Sequence, residues 1–204
     1  MKIFHIQAAM PLCTNTFLLI GDQGHAVAID PNAPAQRYLD VLKENNAQLA
    51  AILLTHAHYD HMGSVAQLRR ETGASLMVSE LDSNPHMDER LFPPLENVTC
   101  YEDGNHFSVD DMDFQVIATP GHTSGSVCLL CGNALFSGDT LFCGDIGRTD
   151  LETGSMPQMN ASLCKLAAKV PDEVQVLPGH GPFSTMGQEK EKNYYLRAAM
   201  EEQQ

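Results

Sequence analysis

The chain is poor in three things, and each shortage narrows what it can do. Of its 204 residues only 12 are Lys or Arg, against 26 Asp and Glu, for a formal net charge of −14. Such a field repels phosphate backbones and anionic headgroups alike, so neither nucleic acid nor a membrane surface is an expected partner. Long apolar runs are missing as well, and no segment approaches the roughly eighteen apolar residues that a spanning helix requires. Met1–Met10 is interrupted by His5 and Gln7 and lacks a small-residue cleavage pattern, so it does not read as a secretory signal. The third shortage is of order among the cysteines. Cys13, Cys100, Cys128, Cys131, Cys143 and Cys164 follow no regular spacing, which points to reduced thiols and a cytoplasmic location. The length suits one domain over residues 1–204 with a substantial core.

Histidine is what the chain has in concentrated form. Directly after the apolar run Leu49–Leu54 comes Thr55-His56-Ala57-His58-Tyr59-Asp60-His61-Met62-Gly63, with three imidazoles and a carboxylate in six residues. In an extended loop His56 and His58 point to the same side. Asp60 and His61, where the chain turns toward a helical pattern, point elsewhere and can serve a second centre. Three later Gly-containing turns, each after a short apolar run, offer His122, Asp139 and His180. Loops at the ends of rigid strands carry most site chemistry. Seven candidate ligands then divide into His56, His58 and His122 for one ion and Asp60, His61 and His180 for another, with Asp139 bridging. Asp60 is also the candidate catalytic carboxylate, orienting the attacking water.

Around these turns the pattern of apolar residues predicts strands at Lys2–Ile6, Leu12–Ile20, His25–Ile29, Leu49–Leu54 and Ser75–Ser79, with helices at Ala35–Asn45 and Gly63–Thr72. Asn84–Asn97, with Pro85, Pro93 and Pro94, reads as an irregular loop that could border the site. Asn97–Tyr101, His106–Val109, Met112–Ala118, Ser126–Leu130 and Ala134–Phe136 read as an antiparallel run. Met156–Lys169 is then a helix, Val174–Leu177 a strand and Gly187–Met200 a closing helix. Two runs of strands, each flanked by helices, imply an α/β protein folded as a four-layer αββα sandwich with its ligand loops along one edge.

Plainer readings compete for several residues. His5, His25, His86 and His106 are lone and read as structural or solvated. Asp60 could cap the following helix, and Cys143 could replace a ligand, although a thiol packing as a small hydrophobe is commoner. Cys128 and Cys131 have metal-like spacing, but odd spacing in a strand sends them to opposite faces. Arg69-Arg70 and the run Glu189–Lys192 read as solvated helix faces. Asp30 and Thr55 are candidates for orienting a ligand histidine through its second ring nitrogen; a turn role for Asp30 before Pro31 competes. Arg148 could clamp a substrate carboxylate or pair with Asp145 or Asp150.

Two adjacent divalent ions lower the pKa of a shared water and polarise a carbonyl, which suits hydrolysis of an activated acyl bond. Zinc heads the expected metals; iron and manganese accept the same donors. The segments Phe136-Ser137-Gly138-Asp139-Thr140-Leu141-Phe142 and Leu177-Pro178-Gly179-His180-Gly181-Pro182-Phe183-Ser184-Thr185, with the His-rich loop, resemble the metallo-β-lactamase fold superfamily, in particular its short glyoxalase II-like (hydroxyacylglutathione hydrolase-like) members. A carboxylate at Asp139 and a histidine at His61 follow that branch, whereas antibiotic-hydrolysing members commonly have Cys at the former or lack the latter. The resemblance implies the αββα fold, two metal ions and a small acyl thioester or ester substrate such as S-D-lactoylglutathione. Unlike full-length glyoxalase II, the chain has no separate C-terminal helical domain expected to contact glutathione. Persulfide dioxygenases are similar too, through Gly147-Arg148-Thr149-Asp150, and imply one iron on His56, His122 and Asp139 with oxygen as co-substrate. A lactonase or other ester hydrolase would keep the metals and change the pocket. Oligomeric state is left open.

Overall fold

The structure, a computed structural model, describes residues 1–83 and 88–202. His86 and the first four residues of the expected Asn84–Asn97 loop lie outside the described residues. Strands β1 (Lys2–Gln7), β2 (Asn15–Ile20) and β3 (His25–Ile29) form an antiparallel start, followed by helix α1 (Ala35–Glu44) and β4 (Gln48–Leu53). Helix α2 (Val65–Thr72), β5 (Ser75–Val78) and β6 (Val98–Cys100) complete a six-stranded sheet in the order β1-β2-β3-β4-β5-β6. The second half adds β7 (His106–Val109), β8 (Met112–Ala118), β9 (Val127–Cys131), β10 (Ala134–Gly138) and the small hairpin β11 (Leu141–Phe142) and β12 (Asp145–Ile146). Then come α3 (Met156–Lys169), β13 (Gln175–Pro178), β14 (Ser184–Thr185), α4 (Met186–Lys192) and α5 (Tyr194–Glu202). The second sheet runs β14-β13-β10-β9-β8-β7.

Alternation along the strands makes the layers. On β2, Phe17 and Leu19 join Val27, Ile29, Leu53, Phe114, Val116, Leu129 and Phe136 between the two sheets, while Leu18 and Ile20 face Tyr38, Leu42 and Leu68 of α1 and α2. The outer face of the second sheet, with Ile117, Cys128, Leu135 and Val176, packs on Leu163 and Leu166 of α3 and Leu196 of α5. Three apolar interfaces between four layers are the expected αββα sandwich, and each fully buried Leu or Phe contributes roughly 1.5–3 kcal/mol. Cys128 and Cys131 fall on opposite faces, in different interfaces.

Four expectations need correction. The strand expected from Leu12 begins at Asn15, because Met10–Cys13 forms a turn with a cis bond before Pro11 and Cys13 at φ 50°. The segment at Asn97 does not open the antiparallel run. As β6 it pairs in parallel with β5 in the first sheet, since the chain returns to the same sheet end through the loop rather than by a hairpin. The helix expected from Gly63 starts at Val65, preceded by a 3-10 turn at Tyr59–His61, and stops at Gly73, which is left-handed at φ 75°. The closing helix is broken in two at Asn193. Its side chain accepts from the N–H groups of Tyr195 and Leu196 at 3.0 and 3.2 Å, starting α5, and donates to the carbonyls of Phe142 and Asp145. Two charged patches are also less solvated than expected. Glu189 is buried and accepts from Gly144 N at 2.8 Å, and Arg69 donates to the carbonyls of Glu96 and Asn97.

Candidate metal centre

All seven candidate ligands sit at one edge of the sandwich, where β4, β8, β10 and β13 end. The chain leaves β4 at Leu53 and runs through Thr55–His58 into the 3-10 turn of Tyr59–His61. His122 follows β8, Asp139 follows β10 and His180 follows β13. Asp60 caps neither helix nor turn, for His58 precedes the 3-10 turn and Ser64 precedes α2.

Within this edge the ligand atoms form two trios. Those of His56, His58 and His122 lie within 4.8 Å of one another, and so do those of Asp60, His61 and His180. Asp139 stands between them. Its Oδ2 is 3.5 Å from His122 Nε2 and 3.7 Å from His180 Nε2, and its Oδ1 is 3.4 Å from His61 Nε2. Asp60 Oδ2 is 3.3 Å from His180 Nε2. Two glycines permit this convergence. A Cβ on Gly179 would lie 2.3 Å from Asp139 Oδ1, and Gly138, left-handed at φ 49°, lies so close to Thr55 that a Cβ would overlap its hydroxyl.

The donors fit divalent cations. His56 Nε2, His61 Nε2 and Asp139 Oδ1 are buried with no hydrogen-bond partner, a costly arrangement for polar atoms unless an ion supplies the missing interaction; in His58 it is Nδ1 that faces the gap, 2.8 Å from His122 Nε2. The Nδ1 atoms of His56, His61 and His122 are engaged. His61 Nδ1 donates to Asp30 Oδ2 at 3.1 Å, and His122 Nδ1 donates to the Arg148 carbonyl at 2.7 Å. Thr55 Oγ1 accepts from His56 Nδ1 at 3.1 Å and donates to Asp30 Oδ2 at 2.6 Å, while Thr55 N donates to Asp30 Oδ1 at 2.8 Å. These bonds hold the free nitrogens toward the gap. Asp30 also falls within reach of His56 and His61 as a potential ligand. Its oxygens are committed to Thr55 and to the far side of His61, however, so it orients rather than binds.

Electrostatics follow from burial and crowding. Burial, with His61 and His122 nearby, holds His56 well below the usual imidazole range. Burial and the facing His122, whose Nε2 lies 2.8 Å from His58 Nδ1, bring His58 down to about 4. Both rings are therefore neutral donors at pH 7, as metal ligation requires. For His61, burial is outweighed by Asp139 and Asp30, which raise it. Asp139 and Asp60 are held below the carboxylate range despite burial, Asp139 mainly by His61 and Asp60 mainly by its bond to His180.

The sequence reading missed two supports. Asp82, 2% exposed, accepts from Ala57 N at 3.0 Å, Thr123 Oγ1 at 2.8 Å and Gly125 N at 2.8 Å, tying the His-rich loop to the His122 loop. No periodicity marks it, since its partners come from distant turns. Arg148 contributes its carbonyl to His122, while its guanidinium forks onto Asp150 at 2.8 Å through two bonds. Cys143 belongs to no metal-capable cluster among the described residues. His5 bonds Asn15 and His25 bonds Asp110. The centre opens into a cleft of about 500 Å³ walled by Tyr59, Leu91, Phe142, Ile146, Arg148 and Leu151. The described part of the 84–97 loop borders it, with Leu91 O accepting from Tyr59 N and Phe92 packed 4.7 Å from the His58 ring.

An αββα sandwich with histidine and aspartate loops gathered at one edge defines a class of metal-dependent hydrolases. The metallo-β-lactamase superfamily model matches residues 11–180, and the chain belongs to that superfamily. Among its relatives, hydroxyacylglutathione hydrolase GloC of Haemophilus influenzae is 30% identical over 199 residues, covering 90% of this chain and 93% of that protein. The crystal structure of TTHA1623 in a di-iron-bound form is 33% identical with a TM-score of 0.80, over 94% of this chain and 99% of the other. ETHE1 from Myxococcus xanthus is 30% identical with a TM-score of 0.84, over 98% and 88% of the two chains. Among the described residues no helix is long and apolar enough to cross a membrane.

Proposed function

We propose that the protein is a dinuclear metallohydrolase that cleaves an acyl thioester, with a hydroxyacylglutathione as the leading substrate class. One observation carries the reading: Asp139 Oδ2 lies within 3.7 Å of both His122 Nε2 and His180 Nε2, where a single carboxylate spans the two trios. His56, His58 and His122 would hold one divalent ion and Asp60, His61 and His180 the other, with Asp139 shared. Ions so held supply Lewis acidity and an acidified water at neutral pH. The chain's own groups do the rest. Asp60, its pKa held low, accepts a hydrogen bond from the attacking water and orients it. Asp30 and Thr55 fix the tautomers of His61 and His56, and the cleft beside Tyr59 and Phe142 receives the acyl group. A thiolate leaves with little need of a general acid, which suits a cleft whose titratable groups, apart from Tyr59 and Arg148, are the ligands themselves.

Two likenesses support this choice. GloC is named for hydroxyacylglutathione, and the match covers 90% of this chain and 93% of that protein. TTHA1623 holds two irons on a similar scaffold. Elemental analysis of protein purified without added metal, beside assays with S-D-lactoylglutathione and with glutathione persulfide in the presence and absence of oxygen, tests the reading. Near two metals per chain with oxygen-independent thioester hydrolysis is expected. One iron per chain with oxygen uptake on the persulfide would overturn it.

A further inference from the structure

We propose that Thr14 and Asn15 are positioning residues for the Asp60, His61 and His180 half of the centre; this rests on the two-ion reading above. Both are polar yet buried, at 0% and 2% exposure, where the chain enters β2. Their hydrogen bonds explain why. Asn15 Nδ2 donates to the carbonyls of Pro178 and Gly181 at 3.1 and 2.8 Å, and Asn15 N donates to the Gly179 carbonyl at 2.7 Å. One residue thus grips the turn that carries His180 at three carbonyls. Its Oδ1 accepts from His5 Nε2 at 2.9 Å, which sets the amide so that its N–H₂ faces that turn. The neighbouring Thr14 Oγ1 donates to the Asp60 carbonyl at 2.8 Å and accepts from Asn32 Nδ2 at 3.3 Å, while Asn32 Oδ1 accepts from Gly63 N at 3.0 Å.

Thr14 and Asn15 therefore fasten both ends of one trio, Asp60 on one side and His180 on the other, across sequence separations of 46 and 166 residues. The fastening is needed because the Gly179 turn comes so near Asp139 and His61 that not even a Cβ fits. A sub-ångström drift there moves the His180 ring away from Asp60. The His56, His58 and His122 trio is held by other partners, Asp30 through Thr55, the Arg148 carbonyl and Asp82. Loss of the Thr14–Asn15 grip should thus weaken one ion selectively.

Zinc stoichiometry and chelator resistance of three variants decide the matter. Asn15→Asp is nearly isosteric and turns an oxygen toward the carbonyls of Pro178 and Gly181. Thr14→Val removes only the bond to the Asp60 carbonyl. Thr16 lies on the same strand but its hydroxyl bonds Ile6 O and the Tyr38 hydroxyl, so Thr16→Val reports plain destabilisation. The expected result is two zincs for the unmodified protein and for Thr16→Val, whatever the fall in Tm. Asn15→Asp should keep one tightly held zinc and lose roughly 10–100-fold in affinity for the other, with Thr14→Val weakened in the same direction by less. Two zincs with unchanged chelator resistance in both site variants, or equal weakening of both ions, would overturn the proposal. If Asn15→Asp does not fold, Thr14→Val alone decides. Fewer than two zincs in the unmodified protein would instead remove the two-ion reading, and this inference with it.

Discussion

The two trios of the centre are built from similar donors yet held in unlike ways. His56, His58 and His122 are at most 3% exposed, enclosed by the sheet ends and the Phe92 ring. In the other trio Asp60 and His180 have side chains 18% and 28% exposed, while His61 is fully buried. One half is over-determined by buried partners; the other rests on the Thr14–Asn15 grip and the Asp30–His61 bond. The difference teaches that two adjacent ligand trios can combine a buried anchor with a more accessible side within a few ångströms. Accessibility is what a substrate needs, and it also makes that side the easier one to lose.

The comparison breaks most severely at the residue shared by both sides. Asp139→Ala should abolish binding of both ions and cut kcat/KM by far more than the roughly 10–100-fold that follows loss of an outer hydrogen-bond partner; elemental analysis and thioester turnover check this, and surviving turnover would sink the bridging role. His180→Ala should cost one ion while the buried trio keeps the other, whereas His56→Ala should lose the anchored ion, so that the two variants differ in which chelator concentration strips the remaining metal. Asp82→Ala leaves Ala57 N and Gly125 N without their acceptor in a buried place. A loss on the order of 3 kcal/mol is expected from two unsatisfied amides, read in urea unfolding of the metal-free protein.

Smaller effects sharpen the contrast. Thr55→Val breaks the Asp30–Thr55–His56 relay without touching a ligand, and should lower affinity at the buried trio about 10–100-fold while leaving the open trio less affected; isothermal titration with zinc separates the two. The smallest effect is expected from Arg148→Ala. Its guanidinium is exposed and paired with exposed Asp150, and the carbonyl that holds His122 is backbone. Tm and metal content should be unchanged, and KM alone reports whether the side chain also grips substrate.

Much of the architecture was legible because burial imposes periodicity. The apolar runs of β3 and β4 and the helical repeat of α1 marked elements correctly, and Gly73 marked the end of α2. Boundaries failed where a side chain from elsewhere intervened, as at Asn193, whose amide both ends one helix and begins the next. The placement of β6 failed for a different reason, since strand pairing depends on where a loop returns and not on the strand's own residues. At the centre, the imidazoles and the carboxylate of the His-rich loop were conspicuous as too many polar ligands for a core segment. Asp82, Thr14 and Asn15 were not, because their contribution lies in bonds to turns 25 to 166 residues away.

The sequence by itself determined the chemistry on offer: a cluster of borderline and hard donors at two-residue spacing, three glycine turns bearing further ligands, and strands able to bury both faces. Only the tertiary structure decided how those donors are grouped, which nitrogen of each ring is free and which ligands stay exposed. Ligand identity is a local property of the chain, whereas ring orientation is set by whichever distant carbonyl or carboxylate the fold brings to the other nitrogen.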